Sequence, residues 1–181
     1  MNTMIRAALA SVPVLLALVG CSPDGGGRPT ASLPPPAPQA SAPPVPTPSA
    51  AVTRTLDRAA ADQLLRNSGV TLQWIDWNTR GTANARDDAG VMRLTASQAS
   101  LNGPGRLWLD GRVTEIGADY FVFSGTIRIT DTPDAGRRCE ATREDWRFAV
   151  TQNRPYWRLR TFEWCDELTD YIDIYKPAAG R

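Results

Sequence analysis

RLWLDGRVTEIGADYFVFSGTIRIT, residues 106–130, decides the fold. Leu107, Leu109 and Val113 alternate with Trp108, Asp110, Arg112 and Thr114. After Gly117-Ala118-Asp119, Phe121, Phe123, Ile127 and Ile129 alternate with Tyr120, Ser124, Thr126 and Arg128. Successive side chains of a strand point to opposite faces, so each half reads as a strand with one apolar face. A short Gly-containing loop between two such runs makes a hairpin. The Phe/Ile row is expected to be core.

The same period continues downstream. Residues 138–151 place Trp146, Phe148 and Val150 on one face, and Gln152-Asn153-Arg154-Pro155 turns the chain. Residues 156–164 place Trp157 and Leu159 on one face, with Arg158, Arg160 and Phe162 opposite, giving a second hairpin. Residues 171–175, YIDIY, form a last strand with Ile172 and Ile174 inward. DTPDAG (131–136) is a turn whose carboxylates lack the spacing of a calcium loop.

Upstream, residues 70–77 alternate and read as a strand, residues 78–90 are polar and read as a loop, and residues 91–95 form a short strand. Asn102-Gly103-Pro104-Gly105 marks a turn. In TLDRAAADQLLRN (55–67), Leu56, Ala60 and Leu64 fall four apart with Ala61 and Leu65 beside them, which predicts a helix capped by Thr55. Gly69 supplies the stop, being able to take a positive φ. The fold expected is mainly β: one N-terminal helix packed on a small antiparallel β-barrel or strongly curved sheet of about seven strands. The alternative is an α+β arrangement of cystatin-like or NTF2-like kind.

Every Trp, Tyr and Phe lies after residue 70, so the core is built there. Residues 22–52 hold ten Pro among 31 residues and only two charges, Asp24 and Arg28. Such a segment has too little apolar surface to offset its chain entropy, and polyproline II spacing makes it an extended tether.

Residues 1–21, MNTMIRAALASVPVLLALVGC, carry one charge, Arg6, before an apolar run from Ala7 to Val19. A membrane-spanning helix needs about 20 apolar residues, so this shorter run fits a signal-peptide core. Its end, Leu18-Val19-Gly20-Cys21, resembles the bacterial lipobox. That resemblance implies cleavage before Cys21, lipid on its sulfur, and a palmitate-class acyl chain on its amine. Ser22 after the Cys implies transfer to the outer membrane, facing the periplasm. The ending of the chain, with TDYIDIY at 169–175, resembles domains of uncharacterised bacterial exported proteins, a likeness that implies no activity. The expected divisions are a signal peptide at 1–20, the lipidated Cys and tether at 21–52, one disulfide-bridged domain at 53–177 and a tail at 178–181.

Lipidation of Cys21 would leave one pair among three cysteines. Cys139 opens the second hairpin and Cys165 closes it, positions that antiparallel strands bring together. An exported chain would oxidise them to a bridge.

Charge and composition exclude several functions. From Thr53 onward there are 18 basic and 18 acidic residues, which offers no basic excess for nucleic acid. The chain has no His, which removes imidazole acid/base catalysis, Ser-His-Asp and Cys-His nucleophiles, and HExxH metal sites. Neither a metal nor a cofactor is expected. Glu163, Asp166, Glu167, Asp170 and Asp173 cluster locally, and a solvated turn is the expected role, against carboxylate-pair hydrolysis. The function expected is a non-catalytic, membrane-anchored envelope lipoprotein that binds an envelope protein or glycan. Its candidate contacts are Tyr156, Arg160, Trp164 and Trp77, since exposed Trp, Tyr and Arg are typical interface anchors. A lipocalin-like carrier of a small apolar ligand is the alternative.

Overall fold

The structure is a computed structural model and describes residues 51–178. Cys21, the expected signal peptide, nearly all of the expected tether and the last three residues of the tail lie outside the described residues. No helix among the described residues is long and apolar enough to cross a membrane.

In chain order the elements are β1 (Arg54–Thr55), α1 (Arg58–Leu65), β2 (Val70–Leu72), β3 (Thr82–Asp88), β4 (Val91–Ala99), β5 (Arg106–Gly117), β6 (Tyr120–Thr130), β7 (Arg138–Ala149), β8 (Tyr156–Leu159) and β9 (Ile172–Tyr175). The sheet runs β2-β9-β8-β7-β6-β5-β4-β3, antiparallel throughout this path, with β1 added parallel to β5. Val70 and Gly81 exchange backbone hydrogen bonds of 2.8 and 3.3 Å, joining the two ends of the path. The result is a nearly closed barrel of eight strands, as a mainly β reading requires. The helix packs on it through Ala60, Ala61 and Leu64.

The expected β5–β6 hairpin is present, with Leu107 opposite Ile129, Leu109 opposite Ile127 and Val113 opposite Phe123. All six are buried. The interior continues through Trp146 and Phe148 on β7, Trp157 and Leu159 on β8, and Ile172 and Ile174 on β9. Phe121 stacks on Phe148 at 4.8 Å and meets Trp157 edge-on at 5.8 Å. Large rings bury the most apolar area per residue, and offset or edge contacts between them add to that. Room for them comes partly from Gly111 and Gly125, which face each other across β5 and β6. A Cβ on Gly111 would run into the Ser124 carbonyl, and one on Gly125 would lie 2.7 Å from the Phe123 ring. The Trp146 indole N–H donates to the Gly125 carbonyl at 3.0 Å.

Several expectations are corrected. The helix is capped by Asp57, whose carboxylate accepts from Ala60 N at 2.8 Å. Thr55 cannot cap it because it is in β1, opposite Ile116. Leu56 and Leu65, expected in the apolar stripe, are exposed. The strand expected over 70–77 stops at Leu72, where Ile75 N and Asp76 N both donate to the Leu72 carbonyl. Gln98 holds that turn: its Oε1 accepts from Leu72 N at 2.6 Å, and its Nε2 donates to the Asp76 and Thr79 carbonyls. The loop expected over 78–90 contains β3, which pairs along β4 and turns only the small Ala83 and Ala85 toward the core, with Thr82, Asn84 and Arg86 exposed. The second hairpin is shorter than expected, because β8 ends at Leu159 and residues 160–171 are irregular. Gly69 does take a positive φ, 112°, and the Cys139–Cys165 bridge is formed.

Candidate binding surface

The residues that β8 and β9 turn outward make one cluster. Thr71, Asp173 and Arg158 lie side by side across β2, β9 and β8, and Tyr175 and Tyr156 form the next row. Their neighbours in sequence, Val70, Ile174 and Trp157, fill the barrel. Period two therefore delivers a polar, aromatic layer on the outer side of the sheet, in which Thr71, Asp173 and Tyr175 are themselves buried.

At its centre Asp173 is fully buried and Arg158 is nearly so. The guanidinium grips the carboxylate as a fork, Nε and Nη2 each donating at 2.7 Å. Burial pushes the Asp173 carboxyl above the ordinary carboxylate range, and the arginine opposes that push. Arg158 is held cationic, its pKa raised chiefly by its bonds to Asp173. Three rings surround the guanidinium: Tyr171 at 4.3 Å, Tyr156 at 5.2 Å and Trp77 at 5.3 Å. The negative face of a ring attracts a cation placed over it. Arg80 lies over Tyr175 at 3.9 Å, and Tyr175 meets Tyr156 at 5.2 Å, extending the same layer.

Beside this cluster opens a groove of about 380 Å³, lined by Thr151, Gln152, Arg154, Arg158, Arg160, Phe162 and Tyr171. Phe162 meets Tyr171 edge-on at 5.2 Å, and Arg160 lies over Phe162 at 4.8 Å. A second groove, of about 410 Å³, sits on β5–β7 between Arg106, Trp108, Arg128 and Arg138. There Arg128 lies over Trp108 and is also within 3.7 Å of Glu140.

The four residues singled out from the sequence separate. Tyr156 and Trp77 flank Arg158, Trp77 being 41% exposed, and exposed Arg160 lines the adjoining groove. Trp164 does not join them; it is partly buried and packs edge-on against the core residue Trp146 at 5.4 Å. The central pair, Arg158 and Asp173, was not foreseen as a unit. An outward-facing charge flanked by Tyr on the same face of YIDIY was the signal available.

The acidic cluster is not a solvated turn throughout. Glu163 and Glu167 are exposed, but Asp170 is fully buried and bound by Arg137, with Nη1 to Oδ1 at 3.1 Å and Nη2 to Oδ2 at 3.0 Å. The Trp74 indole donates to the same carboxylate at 3.0 Å. Arg137 also forks onto Asp166 with two bonds of 2.7 Å, which holds the Asp166 carboxyl below the ordinary range. These side chains, with the bridge at Cys165, fix segment 160–171 against β7. Cys139, Cys165 and Asp166 also lie close enough together to suggest metal ligands. Both sulfurs are in the bridge, so neither offers a thiolate.

A family model described as the PM1083 family matches residues 52–176. The chain belongs to this family. Among its relatives is an uncharacterised protein, PM1083, of Pasteurella multocida (strain Pm70), 35% identical over 117 residues that cover 63% of this chain and 74% of that one. The span matched by the PM1083 family contains the bridge, the Arg158–Asp173 pair and both grooves. No solved structure matches the chain.

Proposed function

We propose that this PM1083-family protein is a membrane-anchored envelope lipoprotein whose folded domain is a non-catalytic binding module. Its recognition face is the surface around Arg158, and its partner is an envelope protein or glycan. The observation that carries this is a guanidinium fixed by a buried carboxylate and ringed by Trp77, Tyr156 and Tyr171, beside an open groove. Aromatic side chains lose little entropy on binding, and Trp, Tyr and Arg are enriched where interfaces concentrate their energy.

The filled interior supports a surface role over an apolar-ligand carrier. Phe121, Phe123, Phe148, Trp146 and Trp157 occupy the space a carried ligand would need, and all are fully buried. The buried carboxylates Asp170 and Asp173 are committed to Arg137 and Arg158, which favours binding over carboxylate chemistry. The anchor rests on the lipobox at Leu18–Cys21, and Ser22 favours the outer membrane.

Two measurements test the proposal. Labelling with a palmitate analogue should mark the wild-type chain, and Cys21→Ala should abolish the label; persistent label would refute the anchor. Crosslinking in envelopes should capture a partner that the double variant Trp77→Ala with Arg160→Ala no longer captures. Equal capture by that variant would remove this face as the recognition surface.

A further inference from the structure

The groove's three arginines differ in what they already hold. Arg158 gives Nε and Nη2 to Asp173 and stands 3.4 Å from the Tyr156 hydroxyl. Arg154 and Arg160 have no ion-pair partner among the described residues. Each of the three lies over a ring: Arg158 over Tyr171, Arg160 over Phe162 at 4.8 Å, and Arg154 over Tyr156 at 5.8 Å. Stacking fixes the plane of a guanidinium while leaving its N–H edge free. The groove therefore presents two arginine forks without a contact ion pair among the described residues, Arg154 feeling Asp173 only at longer range, within a domain whose total charge is balanced.

Such forks match the geometry of a planar or tetrahedral oxyanion and bind it through two parallel bonds. The volume, about 380 Å³, lies near the lower end of small-ligand sites, and the lining residues Thr151 and Gln152 carry uncharged hydrogen-bonding side chains. This combination suits one unit that carries an anion and several hydroxyls. Strand addition is closed to a peptide here, because β8 and β9 are paired on both sides.

We infer that this groove binds an acidic sugar unit of an envelope glycan, with a carboxylate or phosphate on Arg154 and Arg160 and the sugar hydroxyls toward Thr151 and Gln152. The inference rests on the binding-module reading and specifies its ligand class.

The test is calorimetric titration of the oxidised full chain in detergent micelles. The probes are an oligogalacturonate, its neutral methyl ester, inorganic phosphate and an oligoglutamate peptide. Binding of the oligogalacturonate is expected, with no measurable binding of the ester and clearly weaker binding of phosphate and peptide. The double variant Arg154→Gln with Arg160→Gln should weaken the oligogalacturonate by roughly a hundredfold, since both charged hydrogen-bond donors to the anion are lost. Its melting temperature should stay within about 2 °C of wild type, since neither side chain has an ion-pair partner to lose. Equal binding of ester and acid, phosphate or peptide binding as tight as the oligogalacturonate, an unaffected double variant, or no binding of any probe would each overturn the inference. If every probe fails while the envelope crosslink is still lost in Trp77→Ala with Arg160→Ala, the ligand class is wrong and the module stands. If that crosslink is also absent in wild type, both fall.

Discussion

Removing Arg158 while leaving Asp173 in place is the most demanding check on the central pair. Asp173 has no exposed side-chain surface, and both its oxygens accept from Arg158 at 2.7 Å. Arg158→Met keeps much of the side chain's length but leaves a buried carboxylate without its counter-charge. Breaking such a pair from one side costs about 3–5 kcal/mol. For a domain of this size that corresponds to a fall in Tm of roughly 10–20 °C. Chemical unfolding at pH 7, followed by tryptophan fluorescence, gives the free energy directly. The deficit should depend on pH. Without Arg158 only the weaker, longer-range pull of Arg154 opposes the upward push of burial on Asp173, so its folded pKa stands above its unfolded one. Relative stability is then full below the unfolded value, near about pH 4, and is lost as pH rises through the folded value. The double variant Arg158→Met with Asp173→Leu replaces the pair by apolar groups and should recover to within about 1 kcal/mol of wild type, because desolvation of the ion pair no longer has to be offset. A single-variant deficit under about 1 kcal/mol at pH 7, or a double variant as unstable as the single, would refute the account of Asp173 as a buried, arginine-dependent carboxylate.

Two further outcomes follow from the segment beside the groove. Cys139→Ser with Cys165→Ser opens a loop with a sequence separation of 26, which the chain-entropy model puts at about 3.5 kcal/mol; a loss under about 1 kcal/mol in denaturant titration would mean that Arg137 alone fixes the segment. Asp166 has a lowered pKa because Arg137 forks onto it, so its stabilisation is full above the ordinary carboxylate value and disappears as pH falls through the lowered one; the Tm gap between wild type and Asp166→Asn should therefore close on acidification below about pH 4, and a gap that widened there would reverse the assigned sign.

What the sequence made legible was what period two controls. The Phe121–Ile129 row, its partners on β5 and the inward residues of β7 to β9 all followed from alternation, and so did the outward side of β8 that carries the groove. What it hid depended on distant partners. Gln98 reads as one polar residue after a short strand, yet its amide ties three backbone groups from residues 72–79. Thr53 reads only as the first residue of the folded domain, but its hydroxyl donates to the Val113 carbonyl at 2.6 Å and accepts from Met92 N at 2.7 Å, at the point where the β4–β5 ladder ends. Trp164 alternates in register with Phe162 only if β8 continues, and the bridge at Cys165 and the Arg137 fork pull the chain out of the sheet before it can. Asp170 and Asp173 read as surface acids because their arginines lie 33 and 15 residues away in sequence.

The polar strand β3 has a further meaning. One of its edges is hydrogen-bonded along β4, but among the described residues no strand pairs the other edge beyond Gly81. An unpaired strand edge is a template on which another chain can add by backbone hydrogen bonding, and an apolar one invites fibrillar self-association. TANARDD ends this edge in Arg86, Asp87 and Asp88, all exposed. The charged end that disguised β3 as a loop thus disfavours the addition of a second copy along this edge, beside which α1 packs.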